Sequence, residues 1–449
     1  MASRPALRRE TWGSRGAFIV AAIGAAVGLG NIWRFSYVAG ENGGATFLLV
    51  YLAAIFLLGA PLVIAEVAIG RHSKGDAVES YRVISRNPLW IAPGAFGVLS
   101  CFLIMTFYLV VAGWALKYFA GAATGGLWRR AAEEYGGYFE DFVADPWQPV
   151  FWQLLLALGA VVVVAAGVRA GIERLARVVT PLLALVVLAL AIRGLTLPGG
   201  GPGLAFLFRP DWGLLATPDI YLAAIGQAFF SLSLGLGLYV TYGSYLGSEH
   251  RLPGAVTAVV AGDTLMAVLA GVAIFPAVFA FGLDPASGPQ LVFITLPQVF
   301  LAMPAGEYVG ALFFFLLAAA ALSASISGVE VPTAYAMRRL RWPRRRAAVV
   351  VGAAIFVCGI PASLGFGLWS HVGWHGRGIL ESTDYFVSNA LLPSGGLLTA
   401  LLVGWRWSAP ALKETALEGT GLGRLWIALL RFVIPSLIVA IFLRAVGLI

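Results

Sequence analysis

Eleven stretches of this chain are apolar and long enough to cross a lipid bilayer, and this constrains its fold more than any other feature. Read between charge clusters and Pro/Gly breaks, they fall at roughly 16–39, 44–69, 90–121, 149–168, 174–195, 219–246, 255–282, 306–337, 346–366, 384–406 and 424–447. About 20 apolar residues span the hydrocarbon core. Inside it a backbone must satisfy its own hydrogen bonds, which selects the α-helix. The expected fold is an all-α polytopic membrane protein with no large soluble domain. Composition agrees: of 449 residues, 60% are hydrophobic and 12% charged, against roughly 25% charged in soluble domains. Soluble enzymes, nucleic-acid binders and disulfide scaffolds are excluded, and neither nucleic acid nor an obligatory protein partner is expected. Both cysteines, Cys101 and Cys358, lie in apolar runs and read as small buried packing residues.

The net charge of +8 is distributed as a topology signal. Arg4, Arg8, Arg9 and Arg15 precede the first run, Arg71, Lys74, Arg82 and Arg86 follow the second, and six arginines from Arg338 to Arg346 follow the eighth. By the positive-inside rule these face the cytoplasm, and the polar interruptions 123–148, 196–218 and 367–383 face outward. The N-terminus is then cytoplasmic and the C-terminus, after an odd number of spans, extracellular or periplasmic. The basic start mimics a signal peptide, but its apolar run continues without a small-residue cleavage pattern and reads as a mature helix. Abundant Ala, Gly and Arg with scarce Lys points to a GC-rich prokaryotic source, and the membrane expected is then the plasma (inner) membrane of a prokaryote.

Two runs are interrupted alike near their middles. The first carries Gly24-Ala25-Ala26-Val27-Gly28-Leu29-Gly30-Asn31, and the sixth, five spans later, carries Ser231-Leu232-Ser233-Leu234-Gly235-Leu236-Gly237. Glycines also serve close helix packing. Matching interruptions in two halves, each beside hydroxyl or amide neighbours, point instead to unwound helices and a midplane binding site.

Polar groups within a span cost several kcal/mol unless partnered, about 3 kcal/mol at the centre on insertion scales, so each is a functional candidate. Asn31, Arg34, Glu66, Gln227, Asp263 and Asp384 stand out. Asn31 follows the glycines, where freed carbonyls and an amide oxygen suit a small hard cation such as sodium. Asp263 is the only acid of its span and could supply the formal charge; the alternative is a helix N-cap near the cytoplasmic end. Arg34 and Asp384 either pair across an outer vestibule or face the headgroups. Glu66 has no cation within a helical turn, so it is expected to hydrogen-bond the loosened backbone of a broken helix. Ser231, Ser233, Ser323, Ser325 and Ser327 offer hydroxyls at depth, although back-bonding to the preceding turn explains any single one. His371 and His375 share a helical spacing, but their Gly-rich loop argues against a metal site.

These residues sit in stretches that resemble the neurotransmitter:sodium symporters, in particular their prokaryotic amino-acid transporters. The match begins with WGSRGAFIVAAIGAAVGLGNIWRFSYVAGENGGATFLLVYLAAIFLLGAPLVIAEVAIGR. It continues in order through FYLVVAGW, GIERLARVVTP, GQAFFSLSLGLGLYVTYGSY and FVSNALLPSGGLL, essentially end to end. The resemblance implies a LeuT-type fold. Its parts are a cytoplasmic gate segment 1–15, a five-helix repeat 16–195, an extracellular connection 196–218, an inverted repeat 219–406, and 407–449 with a cytoplasmic loop and one extra helix.

The resemblance further implies one sodium site from the Ala26 carbonyl, Asn31, Ser231 and Asp263, completed by the substrate carboxylate. A second would use the carbonyls of Gly24, Val27 and Ala320 with the Ser323 hydroxyl. The substrate carboxylate would meet the amides of Leu29 and Gly30 and the Tyr108 hydroxyl. Its ammonium would meet the carbonyls of Ala26, Phe230 and Ser231 and the Ser233 hydroxyl. Ile104, Phe230, Leu236, Ser327 and Gly328 would line the side-chain pocket. Phe230 and Tyr108 would form a lid, Arg34, Gln227 and Asp384 the outer gate, and Arg9, Trp12 and Tyr245 parts of the inner gate.

Three departures qualify the carry-over. Ala324 stands where the family commonly has a hydroxyl ligand of the second sodium site. Arg338 stands where an acid usually pairs with the N-terminal arginine, so the inner gate must close differently. Asp263 already supplies an anion near the first site, so no chloride requirement is expected. Gly328, with Leu236 in place of a bulkier residue, predicts room for a large apolar or aromatic amino acid, with small aliphatic ones second. The function expected is sodium-coupled import of neutral hydrophobic L-amino acids by alternating access. The rivals are a non-transporting amino-acid sensor and a sodium channel on the same fold; no nucleophile–base constellation suggests an enzyme.

Overall fold

The computed structural model describes residues 11–247, 252–286, 291–374 and 376–445. Among them, nine helices are long and apolar enough to cross a membrane: Ala45–Ser73, Pro88–Ala123, Gln148–Ala166, Val168–Leu195, Leu252–Ala280, Gly306–Leu340, Arg344–Leu364, Ile379–Arg406 and Gly421–Arg444. The first span is a bent pair, Arg15–Ala26 and Gly30–Glu41, turned by 51° at its break. In the place of the sixth stand two short helices, Pro218–Ser231 and Leu238–Ser244. The eleven segments read from hydropathy are therefore all present, and the chain is a multi-pass membrane protein of the expected all-α class.

Both breaks have local causes. Val27 leaves helical geometry at φ −70°, ψ 101°, after which a wide turn resumes with Phe35 N–H bonded to the Gly30 carbonyl. In the sixth span Ser233, Gly235 and Gly237 take φ of 52°, 74° and 68°. Two of these left-handed positions are glycine, the residue that bears such angles without a Cβ penalty.

The third and eighth spans are the interior of the bundle, and the fourth and eleventh its rim. In the most apolar window of the third span 67% of residues are buried, against 33% for the fourth and for the eleventh. Side chains facing a central site must therefore come chiefly from the broken spans, the third and the eighth. Cys101 is buried as expected, but Cys358 is exposed on the outer face of Arg344–Leu364. This corrects its reading as a buried packing residue: an apolar run in a rim helix faces lipid as readily as core.

The polar interruptions carry structure that hydropathy does not show. Residues 123–148 contain the helices Gly126–Arg129 and Glu134–Ala144, and 196–218 contain Gly201–Phe208 and Trp212–Ala216. The loop 367–383 contains a two-stranded hairpin pairing Gly373 with Gly378 and Trp374 with Arg377.

Candidate functional site

Asn31, Ser231 and Asp263 come from three spans and meet in one buried cluster. Asn31 Nδ2 donates to Asp263 Oδ1 at 2.7 Å, to the Asp263 carbonyl at 3.1 Å and to Ser231 Oγ at 3.1 Å. Ser231 Oγ donates to Asp263 Oδ2 at 2.8 Å and accepts from the Tyr51 hydroxyl at 3.2 Å. Asp263 lies well inside Leu252–Ala280 and is 0% exposed, which rules out the N-cap alternative. The carboxylate and the hydroxyl clustered at a main-chain break are donors a hard monovalent cation favours, while the Asn31 amide turns its Nδ2 to them and its Oδ1 to the Gly28 N–H.

The break of the first span is tied down from two sides. Gly28 N–H donates to Asn31 Oδ1 at 3.1 Å, and Leu29 N–H donates to the Tyr108 hydroxyl at 3.0 Å. A Cβ on Gly28 would stand 2.5 Å from that hydroxyl, so only glycine permits the approach. In the sixth span Gly235 N–H donates to Glu66 Oε1 at 2.8 Å. Glu66 thus bonds the loosened backbone of a broken helix, as its lack of a nearby cation led us to expect.

Between the breaks lies a small cavity of about 50 Å³, walled by both breaks and by the third and eighth spans. Of the expected substrate residues, Ala26, Gly30, Ile104, Tyr108, Phe230, Ser233, Leu236, Ser327 and Gly328 line it. Leu29 and Ser231 stand behind its wall, Leu29 through its bond to Tyr108 and Ser231 within the acidic cluster. Met105 and Leu392 also line it and were missed, because apolar residues inside apolar runs carry no distinguishing mark; Cys101, expected only as buried packing, and Ala324, expected only at the second cation site, line it too. Met105 changes the size argument. A Cβ on Gly328 would be 2.5 Å from Met105 Sδ, so the space the glycine leaves is occupied by a flexible thioether. Of the inner serines, Ser325 back-bonds to the Ala321 carbonyl at 2.7 Å, and Ser327 Oγ is both 3.3 Å from the Ser323 carbonyl and 2.7 Å from the Tyr242 hydroxyl.

Of the residues expected at a second cation site, Gly24 and Ser323 come together. A Cβ on Gly24 would meet Ser323 Oγ at 3.0 Å, and the Thr180 hydroxyl of the fifth span is the nearest group to that point. Val27 is at the break and Ala320 is fully buried in the eighth span. Thr180 was missed, since a lone threonine in a helix ordinarily back-bonds; here it donates to the Val20 carbonyl of another span at 3.2 Å. Ala324 turns its methyl toward Gly28, 2.9 Å from where a Cβ there would be.

On the outer side, Arg34 and Asp384 line one vestibule of about 1070 Å³ with Trp33, Tyr37 and Trp114. They do not form an ion pair here. Arg34 Nη1 donates to Gln227 Oε1 at 3.0 Å, and Gln227 Nε2 donates to the Gly30 carbonyl at 2.8 Å. Asp384 accepts from Ser388 at 2.8 Å. The Arg34 guanidinium lies 4.5 Å over the Phe230 ring, so Phe230 and Arg34 stand between vestibule and cavity.

On the opposite side the bundle is sealed. Trp12 N–H donates to the Tyr245 carbonyl at 3.0 Å and its indole Nε1 to the Tyr242 carbonyl at 2.9 Å. Arg9 lies outside the described residues, as does His375. Arg338 does not seal the gate: it reaches Asp76 at 3.6 Å and Glu79 at 3.7 Å. Burial raises the Asp76 carboxyl above the usual carboxylate range, opposed by the Glu79 and Val78 N–H groups and by Arg338. The acid at the gate is Glu330, fully buried, which accepts from Arg344 at 2.6 and 2.9 Å and from the Tyr245 hydroxyl at 2.6 Å. Sequence reading passed it over because an acid followed by six arginines resembles a span's polar end; its place in an otherwise apolar run was the available signal.

Comparison with known proteins follows the same lines. A profile of the sodium:neurotransmitter symporter family matches residues 9–137 and 144–448. An uncharacterized sodium-dependent transporter of Bacillus subtilis is 39% identical over 443 residues, covering 97% of this chain and 98% of its own length. A sodium- and chloride-dependent creatine transporter of Homo sapiens is 29% identical over 72% of this chain and 59% of its own. The crystal structure of MhsT in complex with L-phenylalanine superposes with a TM-score of 0.92 at 51% identity, covering 97% of this chain and all of the other.

Proposed function

The chain belongs to the sodium:neurotransmitter symporter family, is a sodium-dependent transporter and not an enzyme, and from that premise we propose that it imports neutral hydrophobic L-amino acids, large or aromatic ones foremost, without needing chloride. The observation that carries this reading is an apolar cavity ending on two broken helices beside the Asn31–Ser231–Asp263 cluster. A structural neighbour that holds L-phenylalanine supports the aromatic preference.

In this reading sodium is co-substrate at two places. One is bounded by the Ala26 carbonyl, Asn31, Ser231 and Asp263, the other by the carbonyls of Gly24, Val27 and Ala320 with Ser323. The amino acid lies between them. Its carboxylate faces the N-terminus of Gly30–Glu41, where the positive end of the helix favours an anion, together with Leu29, Gly30 and Tyr108. Its ammonium faces the freed carbonyls of Ala26, Phe230 and Ser231 and the Ser233 hydroxyl. The side chain enters the space bounded by Ile104, Leu236, Ser327 and Gly328, with Met105 swinging aside for larger ones. Asp263 supplies the balancing charge that makes chloride dispensable.

Transport follows if the two repeats, 16–195 and 219–406, rock about this site. Sodium must favour the outward-open arrangement, since a ligand that binds both states equally shifts nothing. Phe230 and Tyr108 then close over the substrate with Arg34, Gln227 and Asp384 above. Release requires Trp12 to leave Tyr242 and Tyr245, and the Glu330–Arg344–Tyr245 network to part. With the N-terminus in the cytoplasm of a prokaryote, sodium entry drives import, and the membrane potential adds about 2.3 kcal/mol per charge per 100 mV.

The test is uptake of labelled tryptophan, leucine and alanine into proteoliposomes, with sodium or choline outside and chloride replaced by gluconate. Sodium-dependent accumulation that survives chloride removal is expected. Binding without accumulation would favour a sensor, and flux beyond any turnover-limited rate would favour a channel.

A further inference from the structure

The turn joining the eighth and ninth spans reads Arg338-Arg339-Leu340-Arg341-Trp342-Pro343-Arg344-Arg345-Arg346, six guanidiniums with no acid among them. Two are used within the protein: Arg344 turns inward to Glu330, and Arg338 reaches Asp76 and Glu79. The other four, Arg339, Arg341, Arg345 and Arg346, are exposed and have no acidic partner among the described residues. Other cations at this end of the bundle do find acids, such as Arg71 with Glu414 at 2.6 Å and Arg82 with Glu79 at 3.0 Å. Four unpaired guanidiniums on one short turn repel one another, and an external anion relieves that repulsion.

The ninth span shows where the anion comes from. Arg345, Val349, Ala353 and Val357 follow one another at four-residue spacing, so they share a face, and all four are exposed. Val349 and Val357 are 55% and 58% exposed inside a membrane-spanning helix, which makes this a lipid-facing face. Arg346 stands over Val350 in the adjoining row, and its guanidinium lies 4.6 Å over the Trp342 ring. The guanidiniums thus stand one turn beyond the apolar stripe, at headgroup depth, where tryptophan is also favoured.

We infer that this turn holds an anionic phospholipid, its phosphodiester against Arg341, Arg345 and Arg346 and an acyl chain along Val349 and Val357. Guanidinium forks match phosphate oxygens bidentately. A soluble anion would use the charge but not the stripe, and a zwitterionic lipid the stripe but not the charge.

The experiment is native mass spectrometry of the purified full-length protein, titrated with phosphatidylglycerol, phosphatidylcholine or inorganic phosphate. Phosphatidylglycerol is expected to be retained over phosphatidylcholine, with about a fivefold loss of affinity per guanidinium removed. R339Q/R341Q/R345Q/R346Q should erase the preference. The corresponding four lysine substitutions should keep most of it, which separates lost charge from lost folding, and R129Q/R209Q should leave it unchanged. Retention by the glutamine variant equal to wild type, equal binding of phosphatidylcholine, or displacement of the lipid by millimolar phosphate would each overturn the assignment.

Discussion

Asp263 carries the one formal charge of the Asn31–Ser231 cluster, so its asparagine variant keeps the shape and removes the charge. A hydrogen bond to a charged group is worth about 2 kcal/mol. D263N is accordingly expected to raise the sodium concentration for half-maximal phenylalanine uptake about 30-fold, and an unchanged sodium curve would remove Asp263 from the site. Met105 decides a second case. M105A vacates the space beside Gly328 and is expected to shift the tryptophan-to-leucine uptake ratio about tenfold toward tryptophan, a difference of the size a pocket methylene group commands. G328A forces Met105 Sδ, 2.5 Å from the new Cβ, into the cavity and should shift the ratio the other way. Competition of each amino acid against labelled phenylalanine reads both, and parallel shifts would sink the size argument. The residues legible in sequence were those a bilayer makes conspicuous: Asn31, Glu66 and Asp263 have no reason to be in lipid unless partnered. Met105 and Thr180 were illegible because their types are ordinary in a buried helix, and only their opposition to Gly328 and Gly24 gives them meaning.

Elements show the same division. The breaks of the first and sixth spans were legible because glycines concentrate where backbone must leave the helix. The start of the fifth was not: Arg169 and Glu173 look like loop residues, so the span was expected from 174, whereas helix begins at Val168 with a wide turn through Glu173. Those charges are there to grip the N-terminal segment. Arg169 Nε donates to the Thr11 carbonyl at 2.8 Å, and Gly13 N–H donates to Glu173 Oε2 at 2.9 Å. Arg177 pairs with the same carboxylate. E173A removes the Gly13 acceptor at a net cost of about 1–2 kcal/mol. Backbone hydrogen exchange over residues 12–16 should rise about tenfold and that at the far Phe35–Glu41 end stay put. No change would mean that Arg169 and the Trp12 bonds to Tyr242 and Tyr245 hold the segment without Glu173.

At the scale of the whole molecule the two cysteines report on opposite surfaces without any being added. Cys358 faces lipid on the ninth span, while Cys101 is 1% exposed and lines the central cavity. The cavity is closed by Trp12 on one side and overlaid by Phe230 and Arg34 on the other, so a water-soluble thiol reagent reaches Cys101 only when one side opens. In a C358A background, sodium alone is expected to speed modification by a membrane-impermeant methanethiosulfonate added outside. Sodium with phenylalanine should slow it at least about tenfold, because the ligand fills the cavity and closes the lid; tenfold corresponds to about 1.4 kcal/mol of differential binding. Reagent added outside inverted vesicles, where it meets the cytoplasmic face, should show the opposite sodium dependence, since the same population lost from one side is gained on the other. A rate indifferent to sodium and phenylalanine from both sides would mean that the two halves do not exchange access around this site, whatever the local chemistry of its ligands.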